Sequence, residues 1–594
     1  MLTSFWQLKN LVAFGLATIL VLTFGLTIPT IGSQQTSPAW ITESNQNAQV
    51  LVAAVARFLP EGAGQWGVNG LDDQILDLKP GFVDRQKQAA KDCLSTLRSR
   101  KTNDPRVRQD LEILINAAQD TLDDIELGDK VYLPSISVVK VVYGGVQALL
   151  DDQVTPDRRA KALARLKKYV GLEKGYTPLT TLAQQHTQQK LQVAGLRGPI
   201  KSAIEDDLTA SLFIYEGIGQ LFEKYKIIGY QPAYSKLKEQ LLSYDTFVRE
   251  NVLPKSRSDF RMPSELYALS LKKRGVEISP AQLAIIGHTA FNQVQQKMQE
   301  LAPQVAKQKG FKTTNYRQVI KLLKQDQLAG KKILSHYQAR IKEVEQIIQR
   351  EKLVTLPRRS MRVRLATEAE SANIASPYFQ SPRLLNNTGE IGEFVLPLRV
   401  PGKKQDAAII DDFTYPAASW TLTAHEARPG HELQFASMIE NGVSQARSIF
   451  AASSVNVEGW GLYSESIVKP FMPIEGQFIS LQLQLLRAAR AFLDPELQAG
   501  KITPAAALKL LKEQVMLSDA LANQEIDRYT FKLPGQAASY FYGFKRLLEI
   551  RSLAEQALGK KFNQQKFHDF ILSQGLLPPS LLEKAVVESF IKSN

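Results

Sequence analysis

The segment "DPRVRQDLEILINAAQDTLDDI", residues 104–125, decides the fold class of this chain. Asp104 suits the N-cap position of a helix, and Pro105 suits its first turn. Apolar side chains then recur every three to four residues, at Val107, Leu111, Leu114, Ala118, Leu122 and Ile125. This period is typical of a helix with one buried face. The segment therefore predicts a long amphipathic helix.

The same helical pattern extends over most of the chain. The pairs Thr155-Pro156 and Ser279-Pro280 predict further helix starts, and helical periodicity covers residues 46–352 and resumes from about residue 417. Strand signals are confined to "MRVRL", residues 361–365, and "GEFVLPLRV", residues 392–400, which are rich in β-branched or aromatic residues. We therefore expect a mainly α fold with one small β element just upstream of the C-terminal helices.

The composition is that of a folded globular protein. The 594 residues are 44% hydrophobic and 22% charged, which excludes a disordered or fibrous chain. Lys and Arg number 73 against 59 acidic residues, a net charge of +14. These basic residues are spread along predicted helices, as in "TPDRRAKALARLKKY", residues 155–169, and are not gathered with aromatic residues on one element. The pattern favours a solvated basic surface and no nucleic-acid partner.

The first residues form a predicted targeting segment. Lys9 precedes an apolar run at residues 11–28, which is long for a cleavable signal and just long enough to span a bilayer. A cleaved signal peptide is favoured, with a retained membrane anchor through residues 11–28 as the alternative. Either one implies export to the periplasm or another extracytoplasmic compartment. The single cysteine, Cys93, excludes a disulfide framework and a lipid-bearing cysteine near the signal, and is predicted to be buried.

The segment "LTAHEARPGHELQ", residues 422–434, carries a candidate metal motif. His425 adjoins Glu426, and His431 follows six residues after the first histidine. On an unbroken helix, six residues turn the direction by a net of roughly 240° and rise about 9 Å, so the two histidines would face apart. Pro429 and Gly430 are the residue types best able to interrupt the helix and return His431 to His425. The pattern favours a metal site, with a hydrogen-bonded histidine pair as the alternative.

A second segment, "NVEGWGLYSES" at residues 456–466, offers a third ligand. Catalytic zinc sites use three protein ligands and keep one position open. Glu458 and Glu465 are seven residues apart and share one helix face, so Glu458 can bind the metal while Glu465 orients a liganding histidine. Gly459 would allow that helix to approach closely. The alternative is a solvated acidic face with the neighbouring aromatic residues in the core.

Three ordered motifs carry a resemblance to a known family. "HEARPGH", "EGWGLYSE" and "PGQAASYFYGFKR" resemble the H-E-x-x-P-G-H, E-G-W-x-x-Y-x-E and P-G-Q-A-x-S-Y motifs of the bacterial family known as domain of unknown function 885. The resemblance implies a helical, gluzincin-type metallopeptidase with two lobes around a deep cleft. It also implies one zinc ion on His425, His431 and Glu458, with Glu426 as general base. Glu432 departs from the family pattern, which has histidine there, but lies outside the ligand set.

The chemistry of such a site suggests further roles. Zinc lowers the pKa of bound water towards 7, and Glu426 would accept its proton and pass it to the leaving amine. Tyr540, in the third motif, and Tyr542 are candidate donors to the oxyanion. Arg528 is a candidate to hold a substrate carboxylate through a bidentate contact. For the two tyrosines, core packing is the alternative.

The predicted function is an exported zinc peptidase for short peptides, with carboxypeptidase action as one form. The alternative is a non-catalytic helical binding protein that retains a structural or sensing metal. Glu426 favours the enzyme, because a structural zinc site has no use for a neighbouring base. The remaining histidines are predicted to be structural or surface residues: His186, His288, His336 and His568.

The domain organisation follows from these assignments. Residues 1–34 form the targeting segment, residues 35–352 an N-terminal helical lobe, and residues 353–594 the lobe that carries the zinc motif. We expect the N-terminal helices to form one wall of a groove over His425 and Glu426, because amphipathic helices must bury their apolar faces. Lys and Arg at its mouth would favour acidic or free-carboxylate peptides. The β segment at residues 392–398 is a candidate to pair with a peptide at its edge, or is an ordinary hairpin.

Overall fold

The computed structural model describes residues 38–328, 330–367, 370–371, 376–397 and 411–593. The predicted targeting segment and residues 398–400 of the second predicted strand lie outside the described residues. The described chain is 70% helical, with 22 α-helices and one small three-stranded sheet, so the prediction of a mainly α fold is confirmed. None of the described helices has the length and apolar character needed to cross a bilayer.

Thirteen described helices precede the sheet: α1 Ala39–Phe58, α2 Pro60–Trp66, α3 Phe82–Ser99, α4 Pro105–Val131, α5 Val138–Gln147, α6 Pro156–Tyr169, α7 Leu179–Leu191, α8 Lys201–Lys224, α9 Gln231–Phe247, α10 Ser264–Lys273, α11 Pro280–Lys309, α12 Tyr316–Leu323 and α13 Lys331–Arg350. The strands are β1 Arg362–Leu365, β2 Tyr378–Gln380 and β3 Glu393–Leu396. Nine described helices follow: α14 Pro416–Glu426, α15 His431–Asn441, α16 Ser454–Val468, α17 Ile474–Gln498, α18 Pro504–Glu513, α19 Asp519–Asp527, α20 Gln536–Leu558, α21 Gln564–Ser573 and α22 Pro579–Ala585.

The predicted helix starts are confirmed. Asp104 accepts a hydrogen bond from the backbone N–H of Arg106, and all six predicted apolar positions of α4 are buried. Ser279 caps α11 through a reciprocal pair of hydrogen bonds with Gln282. Thr155 precedes α6, which begins at its proline. Local capping chemistry therefore sets where these helices begin.

The small sheet has β3 at its centre. β1 pairs with it in parallel and β2 in antiparallel orientation, so Phe394 lies between Val363 and Phe379. The prediction that the segment at residues 392–398 pairs with a peptide at a sheet edge is therefore wrong for β3, since both its sides are bonded to the chain's own strands. The sheet packs against α15, where the rings of Phe379 and Phe435 lie 5.3 Å apart.

The largest hydrophobic cluster joins helices from both halves of the chain. It contains Ile348 and Leu353, on either side of the proposed lobe boundary at residues 352/353. Helices α11 and α17 pack closely, since a Cβ on Gly287 would lie 2.9 Å from that of Ala491. A separate cluster gathers apolar side chains between residues 55 and 252. The lobe boundary stays a prediction, but the core around the C-terminal helices includes N-terminal helices.

A buried carboxylate, Asp494 on α17, ties three helices together. Both of its oxygens accept from the backbone N–H of Gly535, just before α20, at 2.9 Å. Its Oδ1 also accepts from the hydroxyl of Tyr267 on α10, at 3.0 Å. Burial raises the pKa of Asp494 from its ordinary 3.8 to about 7. The ionisation of this group is therefore coupled to folding.

We predict that a fragment beginning at Leu353 does not fold. It lacks α11 and α13, which supply core side chains to the cluster that also contains the C-terminal helices. The C-terminal helices would then expose the apolar faces that α11 and α13 normally cover, and large exposed apolar faces lead to aggregation. The measurement compares soluble yield and near-ultraviolet circular dichroism of the fragment with those of a chain beginning at residue 35. A soluble fragment with a cooperative thermal transition would contradict the shared core.

A second prediction concerns pH. A carboxyl group whose pKa is raised in the folded state contributes stability below its unfolded pKa, and this contribution is lost as pH rises through its folded pKa, here about 7. The side chain in Asp494→Asn cannot ionise. The free energy of unfolding of this variant should therefore fall less between pH 4 and 7 than that of the unsubstituted protein, and the two slopes should differ by up to about 1.4 kcal/mol per pH unit. Urea unfolding at several pH values measures this difference. Parallel pH profiles for the two proteins would contradict the assignment.

Candidate metal centre

The helix that carries His425 is interrupted directly after the His-Glu pair. Helix α14 ends at Glu426 and α15 begins at His431, as the sequence predicted. A Cβ on Gly430 would lie 1.8 Å from the carbonyl oxygen of His425, so only glycine fits this close approach. The indole N–H of Trp460 on α16 donates to the carbonyl of Pro429 at 2.9 Å. The connection between the helices is therefore held from a third helix.

The interruption brings two imidazoles to one carboxylate. The Nε2 atoms of His425 and His431 each lie 3.4 Å from Oε2 of Glu458. The three ligand atoms lie within 4.8 Å of one another, and all three residues are buried. Tetrahedral zinc with bonds of 2.0–2.1 Å separates its ligand atoms by about 3.4 Å. The separations of both histidines from Glu458 therefore match those around a zinc ion.

Glu458 is positioned by close packing of α16 on α20. A Cβ on Gly459 would lie 2.7 Å from the carbonyl carbon of Gly543, so glycine is required at this crossing. The N-terminus of α16 is capped by Ser453, whose hydroxyl accepts from the backbone N–H of Asn456. The sequence prediction of close helix approach at Gly459 is confirmed.

Glu465 lies behind His425. Its Oε1 is 2.7 Å from Nδ1 of His425, and its Oε2 accepts from the hydroxyl of Thr421 at 2.6 Å. Burial alone would lower the pKa of His425, but the carboxylates of Glu458 and Glu465 raise it to about 9. A carboxylate at Nδ1 orients the ring so that Nε2 faces the cluster. The structure places Glu465 where the sequence predicted it.

Glu426 borders the cluster without joining it. Its Oε1 lies 4.0 Å from Nε2 of His425, and its side chain is 11% exposed. Burial raises the pKa of Glu426. The charges of His425, His431 and Arg487 act on this carboxylate in the opposite direction. A carboxylate in this position can accept a proton from a molecule bound at the cluster.

Tyr540 and Arg528 form a hydrogen-bonded pair near Glu458. Burial and the nearby carboxylate of Glu458 raise the pKa of Tyr540, whose hydroxyl accepts from Nη2 of Arg528 at 2.7 Å. Nε of Arg528 donates to Gln536 at 2.7 Å. The structure thus brings Tyr540 to the cluster and connects Arg528 to it through Tyr540. The substrate contact assigned to Arg528 stays a prediction.

Tyr542 does not reach the cluster. Its hydroxyl donates to Oε2 of Glu277 at 3.4 Å. Two residues along a helix differ in direction by about 200°, so Tyr540 and Tyr542 point to opposite sides of α20. The structure therefore does not support Tyr542 as an oxyanion donor or a substrate contact.

The sequence interpretation missed a buried ion pair beside Tyr540. Arg490 on α17 donates to both oxygens of Glu525, from Nε at 2.7 Å and from Nη2 at 2.5 Å. Its guanidinium carbon lies 4.6 Å from the centre of the Tyr540 ring. Arginine within the apolar run "ISLQLQLLRAARAFL", residues 479–493, is the signal that could have indicated a buried pair. The partner, 35 residues away, carries no such signal.

The other residues singled out from the sequence lie outside the cluster. Glu432 accepts from Nε of Arg428 at 2.7 Å, and Cys93 is buried on α3. The remaining histidines have other partners: His186 packs on Phe82, His288 contacts Glu496, His336 contacts Ser419, and His568 contacts Leu353 and Tyr463.

Comparison with known proteins places the chain in a family. It belongs to the family described as "Bacterial protein of unknown function (DUF885)", which matches residues 60–586. A structure titled "putative lipoprotein from Colwellia psychrerythraea" shares the fold, with a TM-score of 0.73 and 19% identity over 93% of this chain and 99% of that one. A "putative lipoprotein of unknown function from Shewanella oneidensis" has a TM-score of 0.70 and 18% identity, covering 93% and 100% of the two chains. No protein with a curated description matches this chain.

We predict that Glu465→Gln weakens zinc binding by about 10–100-fold, because a carboxylate behind a liganding histidine orients the ring and raises its basicity. Competition with a chromophoric zinc chelator measures the affinity. Glu432→Gln is the matched control, since this buried carboxylate pairs with Arg428 and not with a cluster residue. Equal zinc affinities for Glu465→Gln and the unsubstituted protein would contradict the assignment of Glu465 as the residue that orients His425.

Proposed function

We propose that this member of the DUF885 family is an exported zinc-dependent peptidase that hydrolyses short peptides, with one zinc ion on His425, His431 and Glu458. The observation that carries the proposal is the convergence of these three ligand atoms within 4.8 Å. Three protein ligands are the number found in catalytic zinc sites, whereas structural sites have four. Carboxypeptidase action is one form of this activity.

The residues around the cluster support hydrolysis. A bound zinc ion would supply a Lewis acid that lowers the pKa of water towards 7. Glu426 would take the proton from the attacking water and deliver it to the leaving amine, because its carboxylate borders the cluster. Tyr540 would donate a hydrogen bond from its hydroxyl to the developing oxyanion, since this hydroxyl already lies near Glu458. Glu465 would hold His425 in place.

Glu426 favours an enzyme over a binding protein with a structural metal. Burial disfavours the ionised form of this carboxylate, and a structural metal site gains nothing from a buried carboxylate outside its ligand set. A hydrolase requires a base at this position.

Export is proposed from the apolar run at residues 11–28. The two similar structures are titled lipoproteins, which agrees with an extracytoplasmic location. The only cysteine, Cys93, is buried on α3, so a cleaved signal or an anchor through residues 11–28 is proposed in place of a lipid-bearing cysteine. Peptides are the proposed partner and nucleic acid is not, because the basic residues are dispersed.

We predict that Glu426→Gln binds one zinc ion as the unsubstituted protein does, but loses peptidase activity by at least about 100-fold. The amide keeps the shape of the side chain and cannot accept the proton. Elemental analysis gives the zinc content, and mass spectrometry of a digested peptide library gives the activity.

Substitution of a ligand should give the opposite pattern. His425→Ala and Glu458→Ala remove one of three ligands, so zinc content should fall together with activity. Peptidase activity retained in Glu426→Gln would overturn its assignment as general base. Full zinc content in both alanine variants would overturn the ligand assignment.

A further inference from the structure

A buried arginine, Arg487 on α17, contacts the carboxylate that lies behind His425. Its Nη2 is 3.4 Å from Oε1 of Glu465. The same oxygen lies 2.7 Å from Nδ1 of His425. All three side chains are buried, so salt and water screen their charges little. The arginine, the carboxylate and the imidazole therefore form a chain of contacts that ends at the metal cluster.

Glu465 connects α16 to two other helices through its two oxygens. Thr421 lies one turn before His425 on α14, and its hydroxyl donates to Oε2 of Glu465 at 2.6 Å. Residues four apart share one face of a helix, so the carboxylate spans Thr421 and His425. Arg487 approaches from α17, where its Nη1 also donates to the carbonyl of Leu483 at 3.1 Å. The position of the carboxylate is therefore fixed from α14 and from α17.

The hydrogen bonding of Arg487 is incomplete for a buried guanidinium. Its Nε has no hydrogen-bond partner among the described residues, and its contact with Glu465 is long. Arg490, about one turn further along α17, instead donates to both oxygens of Glu525 at 2.7 and 2.5 Å. A buried charge that is paired as incompletely as Arg487 costs stability. Stability alone therefore does not account for this arginine.

We infer that Arg487 is a positioning residue of the metal centre, which acts on His425 through Glu465. The inference rests on the proposed zinc site. A carboxylate behind a liganding histidine sets the orientation of the ring, and the arginine sets where that carboxylate lies. Without the guanidinium, Glu465 is anchored from α14 alone, so Nε2 of His425 is held less firmly towards the other two ligands.

A double-mutant cycle on zinc affinity tests this inference. Competition with a chromophoric chelator measures the affinity of the full chain and of Arg487→Gln, Glu465→Gln and the double variant. Arg487→Gln should weaken zinc binding about tenfold. The double variant should bind zinc no more weakly than Glu465→Gln alone, because Arg487 acts through that carboxylate.

The control for general effects of losing a buried arginine is Arg447→Gln. Arg447 is also buried, and it pairs with Asp110 at 2.7 Å and with no residue of the cluster. This variant should bind zinc as the unsubstituted protein does. Arg487→Met fills much of the space of the arginine without a charge, and it tests the same pattern if Arg487→Gln fails to fold.

Three results would overturn the inference and leave the zinc site standing: unchanged affinity in Arg487→Gln, two losses that multiply in the double variant, or an equal loss in Arg447→Gln. Absence of zinc binding to the unsubstituted protein would overturn both the site and the inference. Peptide hydrolysis is measured separately. Coupling of Arg487 to Glu465 in zinc binding without hydrolysis would reject the peptidase function and leave the positioning role standing.

Discussion

The centre of this structure is the meeting of two imidazoles and one carboxylate from three consecutive helices. His425 and His431 face Glu458 only because α14 stops at Glu426 and α15 starts five residues later. The close approach at Gly430 excludes any side chain there, and Trp460 of α16 holds the intervening turn. The helix that supplies Glu458 therefore also fixes the connection between the helices of the two histidines. The side-chain geometry of the cluster and the backbone geometry of the helix break are thus set by the same packing.

Buried charges around the cluster tie it to the rest of the molecule. Burying an ion costs several kcal/mol unless it is paired and hydrogen-bonded, and such a pair becomes strongly unfavourable when one partner is lost. Arg490 and Glu525 satisfy each other beside Tyr540, and Asp494 links α17 to α10 and to the start of α20. These contacts join helices that are far apart in sequence. The geometry at the cluster consequently depends on the folding of both halves of the chain.

The sequence predicted features that depend on local chemistry. Caps and apolar periodicity located α4 and α11, and Pro429 with Gly430 indicated the helix break. Features that depend on long-range pairing were missed. The central place of β3 depends on β1 and β2, which come from separate segments, and the orientation of Tyr542 depends on how α20 packs. The contact of Arg487 with Glu465 likewise depends on how α17 packs beside α16, which no local pattern records.

Zinc-edge X-ray absorption spectroscopy of the full chain with one equivalent of zinc tests the central claim most directly. The account predicts two imidazole nitrogens, one carboxylate oxygen and one water oxygen at about 2.0–2.1 Å, with one imidazole lost in His431→Ala. A spectrum with four protein ligands would indicate a closed structural site. A spectrum unchanged by His431→Ala would show that zinc binds elsewhere and would contradict the account.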